Sequence, residues 1–373
     1  MKFFKIILSL FISIILLTNC TQKTIQKEQK SLKKTFENDF YIGAALNEFQ
    51  FNKTDSVETA LIINEFNSIT AENMMKSMHI HPQKDTFNFK QADKFVAFGE
   101  KNNLFIHGHT LIWHSQLAPW IKEIKDSTEM VNFMKNHIQT IVNRYKGKVN
   151  SWDVVNEALN DDGTLRKTVF LDALGEDYLA LAFKLAAEAD PVAELYYNDY
   201  SMADAPKRKG AIKLVKSLQE KGVKIDGIGM QGHWGLNFPD LKEIDKSLTE
   251  YAALGIKISI TELDITVLPN PFEVHGADVN MSFENNETMN PYPNKLPDSI
   301  NNKLAKRYED IFKILLKHKD NISRITFWGV NDGQSWLNNW PINGRTNYPL
   351  LFDREFKPKK AYKTILSLKD GKE

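Results

Sequence analysis

The sequence predicts one α/β domain, a (β/α)8 or TIM barrel. Three observations predict it: eight short β-like runs, helical stretches between them, and polar or aromatic residues where the runs end. The runs are 41–46, 68–71, 104–109, 149–156, 194–198, 227–231, 257–261 and 324–328. Several are continuously apolar, as parallel strands covered on both faces are. Val131, Met134, Ile138, Ile141 and Tyr145 recur at helical spacing between two of them, and so do Ile311, Ile314 and Leu315 further on. A doubly wound open sheet shares this alternation. The run ends favour the barrel. Glu72 and Asn73, His109, Asn156 and Glu157, Asn198 and Asp199, Gln231 and His233, Glu262, and Trp328 all fall there. In a barrel those ends open onto one rim, and that rim carries the site.

Composition sets the outer bounds. The chain has 373 residues, 42% hydrophobic and 25% charged, an ordinary globular balance. Its 48 basic and 47 acidic residues leave a net charge of +1. No basic field is present to hold nucleic acid, and an uncharged partner such as a polysaccharide fits. A single domain without internal repeats is expected to act as a monomer.

The N-terminus reads as a targeting segment. Lys2 and Lys5 precede an apolar stretch, 6–17, that is short for a membrane span, and L-T-N-C ends at Cys20. Residues 1–20 are read as a lipoprotein-type signal peptide with Cys20 as the lipidated residue. A simple cleaved secretion signal is the alternative. Export follows from either reading, with the protein periplasmic or at the cell surface if anchored, and the lipid its only membrane contact. Cys20 is the single cysteine, which excludes an intrachain disulfide. Residues 21–36 are polar and read as a flexible tether, and 37–373 as the catalytic domain.

Two carboxylates stand out. Glu157 ends the run in W-D-V-V-N-E-A, and Glu262 ends the run in I-S-I-T-E-L-D-I. Glycoside hydrolysis needs such a pair: one acid protonates the leaving oxygen, and one carboxylate attacks the anomeric carbon or activates water. A lone glutamate at a strand end is more often a salt bridge or helix cap. Two at matching ends, beside Asn156, His233 and Trp328, point to catalysis. Asp264 lies two residues past Glu262 and shares its face if the strand continues. No cofactor motif appears: there is no P-loop, no G-x-G-x-x-G after a strand and no H-E-x-x-H. His107, His109 and His114 raise a metal site, but the carboxylate or cysteine pattern of zinc is missing.

From residue 40 onward the sequence resembles glycoside hydrolase family 10, the endo-β-1,4-xylanases. The motifs are N-S-I-T-A-E-N-M-M-K (67–76), G-H-T-L-I-W-H-S-Q (108–116), W-D-V-V-N-E-A (152–158), L-Y-Y-N-D-Y (195–200), D-G-I-G-M-Q-G-H (226–233), I-T-E-L-D (260–264) and F-W-G-V-N-D-G-Q-S-W (327–336). The resemblance implies cleavage of xylan or xylo-oligosaccharides with retention, with Glu262 as nucleophile and Glu157 as acid/base. It implies that Asn156 binds the sugar 2-hydroxyl and that His233 holds Glu262 ionised, with Asp264 behind it. Glu72, Asn73, Lys76, His109, Trp113 and Gln116 are the implied glycone residues. Gln231 is a further implied substrate-binding residue, Trp328 and Trp336 face the pyranose rings, and Asn198 and Tyr200 fall on the aglycone side. A non-catalytic carbohydrate-binding lipoprotein on the same barrel, or a related β-glycanase, are the alternatives. Departures from the family pattern are Ser77, Trp234 and a Pro- and Asn-rich insert at 268–297.

Overall fold

The structure is a computed structural model that describes residues 30–52, 56–271, 279 and 281–370. The signal segment, Cys20, residues 21–29 of the expected tether and part of the 268–297 insert lie outside the described residues. Eight parallel strands pair in sequence order: β1 (Tyr41–Leu46), β2 (Ser68–Ala71), β3 (Phe105–Gly108), β4 (Ser151–Asn156), β5 (Glu194–Asp199), β6 (Gly227–Met230), β7 (Lys257–Thr266) and β8 (Ile322–Phe327). The β8–β1 pairing, Tyr41 opposite Arg324 through Ala44 opposite Phe327, closes the barrel. The open sheet is thereby excluded.

One long helix follows each strand: α1 (Val57–Glu65), α2 (Lys90–Lys101), α3 (Ser127–Arg144), α4 (Asp177–Ala189), α5 (Ala205–Glu220), α6 (Leu241–Ala252), α7 (Asp298–Lys317) and α8 (Lys360–Ser367). Local sequence sets where several begin. Asp126 caps α3 by accepting from the Glu129 amide at 2.8 Å, and Asp240 caps α6 by accepting from Lys242 at 2.7 Å. Met130, Met134, His137, Ile138 and Ile141 of α3 turn one buried stripe toward the sheet. Trp152 of β4 lies against Gly108 of β3. A Cβ there would sit 2.2 Å from the indole, so only glycine admits the ring.

The folded unit starts at Ser31, earlier than the tether boundary read from sequence. Residues Leu32–Thr35 form a helical turn, and Leu32 and Phe36 are fully buried. The Leu32 amide donates to the Glu65 carboxylate at 2.9 Å, and the Phe36 ring packs on Phe40 and on Phe312 of α7, each at 5.5 Å. Lys33 and Lys34 make this segment look polar, but the i, i+4 pair of apolar side chains anchors it.

Not all of the barrel interior is apolar. Arg324 of β8 donates across it to the Ser151 hydroxyl of β4 at 3.1 Å. His107 and His109 both contact Asp153, at 3.0 and 2.8 Å. Among the described residues Arg324 Nε and Nη2 make no hydrogen bond, and the guanidinium lies instead over the Phe105 and Tyr196 rings. These polar groups form the floor beneath the rim.

Candidate active site

Irregularities in the strand ladder precede Glu157 and contain Glu262. Between β4 and β5 the register slips after Asp153, so that Val155 faces Tyr197. Between β8 and β7 it slips where Ile325 faces Ile260 but Phe327 faces Leu263, with Glu262 in the slip. Bulges of this sort re-aim side chains beside active sites. Glu157, just past the end of β4, also takes φ +58°, a left-handed conformation that costs a non-glycine residue on the order of 1–3 kcal/mol. Contacts on both sides hold it. Its amide donates to the Asn198 carbonyl at 2.9 Å, and Arg166 Nε donates to its own carbonyl at 3.1 Å. Two residues on, Lys207 Nζ and Arg166 Nη2 both donate to the Leu159 carbonyl at 2.9 Å.

Glu262 accepts from Asn198 Nδ2 at 2.8 Å, and its other oxygen lies 3.2 Å from His233 Nε2. β7 continues to Thr266, so Asp264 shares the Glu262 face and meets His233 Nδ1 at 3.0 Å. Trp336 Nε1 donates to the other Asp264 oxygen at 2.8 Å. Burial pushes Glu262 up, but the His233 hydrogen bond and the nearby His109 and His233 charges outweigh it, and the carboxyl ends below its ordinary value. Burial likewise opposes charge on His233, but Asp264 and Glu262 lift the imidazole to about 10. The pair is therefore imidazolium and carboxylate.

Glu157 is placed differently. Trp113 Nε1 donates to Oε2 at 2.8 Å, while Gln231 Nε2 donates to Oε1 at 2.9 Å and Asn156 Nδ2 at 3.3 Å. Among the described residues these donors are neutral, and none is a cation. Burial first, and the Asp199 charge second, raise its pKa to about 7, against the Gln231 and Trp113 hydrogen bonds. Asp199 is salt-bridged to Lys207 at 2.9 Å and accepts from the Tyr197 hydroxyl. One buried carboxyl kept acidic and one kept basic is the pattern that lets a single site do acid and base chemistry.

The two glutamates line a cleft of about 460 Å³ together with Glu72, Asn73, Lys76, His109, Trp113, Gln116, Asn156, Gln231, His233, Trp328 and Trp336. Lys76 donates to Asn73 at 2.9 Å and lies 5.0 Å above the Trp113 ring. Burial depresses the Lys76 pKa, while the charges of Glu72, Glu262 and Glu157 hold it up. Trp328 sets its ring edge-on to His109 and His233.

One residue sits elsewhere than its motif position suggested. Asn198 is fully buried and does not line the cleft. It works from below, donating to Glu262 and to Asn156 Oδ1 at 3.0 Å while accepting from Thr261 at 2.6 Å. The bare backbone of Gly229 gives it room, since a Cβ there would lie 2.3 Å from Asn198 Oδ1. Tyr200 lies off this cleft. It lines a neighbouring hollow of about 190 Å³, and its hydroxyl accepts from Arg166.

Sequence reasoning missed Trp340, Asp153, Arg166 and Lys207. Trp340 stacks on Trp336 at 4.6 Å and lines the cleft. Its spacing four residues after Trp336 was the available sign. Asp153 stands inside the W-D-V-V-N-E-A motif, whereas Arg166 and Lys207 carry no local signature. The visible part of the 268–297 insert supplies Met281 and Ser282 to the cleft wall.

The family described as Glycosyl hydrolase family 10 matches residues 31–368. The chain is 43% identical to endo-1,4-beta-xylanase A of Xylanibacter ruminicola over 92% of its own length and 95% of that protein. It is 42% identical to a beta-1,4-xylanase of Dictyoglomus thermophilum, covering 91% of each. Among solved structures, a GH10 endoxylanase from a sugarcane soil metagenome superposes with a TM-score of 0.87 at 44% identity, over 91% of this chain and all of that one. A xylanase of Paenibacillus barcinonensis, solved with a conduramine derivative, superposes at 0.81 with 38% identity, over 91% and 99%. With the closed barrel and the paired glutamates on its rim, these matches mean that the chain belongs to glycosyl hydrolase family 10.

Proposed function

We propose that this chain is an endo-β-1,4-xylanase that hydrolyses xylan with retention, Glu262 acting as nucleophile and Glu157 as acid/base. The observation that carries this reading is the unequal setting of the two carboxyls. Glu262 is held ionised between His233 and Asn198, and Glu157 is raised to about 7. In the first step Glu262 attacks the anomeric carbon while Glu157 gives its proton to the departing glycosidic oxygen. In the second, Glu157 takes a proton from water, which displaces Glu262. As the Glu262 charge is consumed in the intermediate, repulsion on Glu157 falls and its proton leaves more easily. Asn156 then binds the 2-hydroxyl, and Trp328 and Trp336 face the apolar sides of the sugar. The names of the curated relatives support xylan as the substrate.

Retention is tested by NMR of early products from xylan. β-Configured reducing ends are expected first, and α-configured ends at the outset would contradict the mechanism. Rates on xylan are expected to exceed those on carboxymethylcellulose in the same assay, and the reverse order would favour a related β-glycanase.

The acid role also sets a pH dependence. Glu157 must be protonated to donate, so kcat/KM falls as pH rises through about 7. Glu262 must be ionised, so kcat/KM also falls as pH drops through its lowered value. Asp199→Asn removes a negative charge that raises Glu157 and leaves the Lys207 cation with only the more distant Asp161 carboxylate, at 3.7 Å. Both changes favour ionised Glu157. The alkaline limb therefore moves to lower pH in Asp199→Asn, and a pH profile with that limb unmoved would remove Asp199 from this role.

A further inference from the structure

Among the described residues two phenylalanines are exposed, Phe49 at 65% and Phe238 at 51%. An isolated exposed apolar residue needs no explanation. These two, however, line hollows that continue the catalytic cleft in opposite directions. The hollow at Phe49, about 470 Å³, shares Asn73 with the cleft and adds the amides of Asn47, Asn88 and Gln91. The hollow at Phe238 shares His233, Trp336 and Trp340 with the cleft and contains Tyr200.

Both rings are displayed from anchored backbone. Phe49 stands on a short helix, Glu48–Asn52, and its amide donates to Asn47 Oδ1 at 3.0 Å. Its neighbour Gln50 is buried and donates to Glu58 at 2.9 Å and to Gln334 at 2.8 Å. Phe51 is buried against Phe95 at 5.9 Å. With its neighbours pinned inward, Phe49 is left facing solvent. Phe238 rests on Gly235, where a Cβ would lie 2.3 Å from its ring, and the following Pro239 carbonyl accepts from Arg307 at 2.6 Å. A rigid exposed ring presents its face at low conformational cost, and the C–H face of a pyranose matches it.

We propose that Phe49 and Phe238 are the outermost sugar platforms of one extended cleft, Phe49 beyond the glycone units at Glu72 and Asn73, and Phe238 on the aglycone side. Each takes the face of one further β-1,4-linked pyranose. The proposal rests on the endo-xylanase reading and deepens it.

The test uses the full chain, xylohexaose marked with ¹⁸O at its reducing end, and an aryl β-xylobioside too short to reach either ring. Phe49→Ala shifts cleavage toward bonds that leave fewer units on the glycone side, and Phe238→Ala shifts it the opposite way. Each loses about three- to tenfold in kcat/KM on xylohexaose, the range of an aromatic face contact, and keeps its rate on the aryl xylobioside. A merely structural role cannot produce opposite shifts. Unchanged cleavage frequencies, or an equal loss on the short substrate, overturn the proposal. If the unaltered protein cleaves neither xylan nor xylohexaose, the endo-xylanase reading falls and takes the proposal with it.

Discussion

Glu262→Ala is expected to reduce kcat on xylan by about 10⁴-fold or more, the scale on which removal of an attacking group costs an enzyme. That corresponds to about 5.5 kcal/mol of barrel-imposed rate enhancement, at about 1.4 kcal/mol per tenfold. The reason is that no neighbouring group can take over the attack. Asp264 lies on the same strand face, but His233 and Trp336 Nε1 engage its two oxygens. The substitution also strips one carboxylate from a buried imidazolium, which destabilises such a pair when no partner remains. Asp264 does remain, so the fold is expected to tolerate the change. Glu262→Gln keeps the side-chain volume and removes only the nucleophile. Loss of turnover in both variants with a melting temperature close to the parent's is the expected result. Near-parental kcat in Glu262→Gln would remove Glu262 from the nucleophile role.

Glu157→Ala is expected to slow hydrolysis of xylan by about 10²–10⁴-fold, the range of general acid catalysis. The loss should depend on the leaving group. A xylose hydroxyl leaves poorly without a proton, whereas an activated aryl oxygen leaves without help. On an aryl β-xylobioside the first step is therefore spared, and the intermediate accumulates because no base remains to activate water. A burst of aryl release followed by slow turnover is the kinetic sign. Equal loss on both substrates, with no burst, would contradict the acid role. The position of Glu157 makes it a sensitive site in another way. Its left-handed backbone depends on Arg166 and on the Asn198 carbonyl, so a change at Arg166 misplaces the carboxyl without touching it.

Most of the barrel was legible because parallel strands and their covering helices leave strong periodic patterns. The runs at 41–46 and 68–71 coincide with β1 and β2. The seventh run was read as 257–261, but β7 continues to Thr266, since a rim strand that carries Glu262 and Asp264 mixes polar residues into its apolar pattern. The 31–36 segment was hidden for a related reason. Its two anchoring residues, Leu32 and Phe36, stand among lysines, and only the surfaces of Glu65 and Phe312 give them a place.

The candidate site divides along the same line. Motif order along the chain was enough to select Glu157 and Glu262 and to place the family, because each strand end must offer its own chemistry to a shared rim. The electrostatic setting of each side chain comes from partners on or just past other strands. Asn198 appeared as a sugar ligand at its motif position, and the packing of β5 against Gly229 of β6 turns it beneath Glu262 instead. Glu157 is raised to about 7 by burial and by Asp199, whereas Glu262 is lowered by His233. Sequence alone determined the barrel, its rim and the two carboxylates. The tertiary structure supplied the physical basis of their inequality, because burial and charge at a few ångströms are set by residues far apart in the chain.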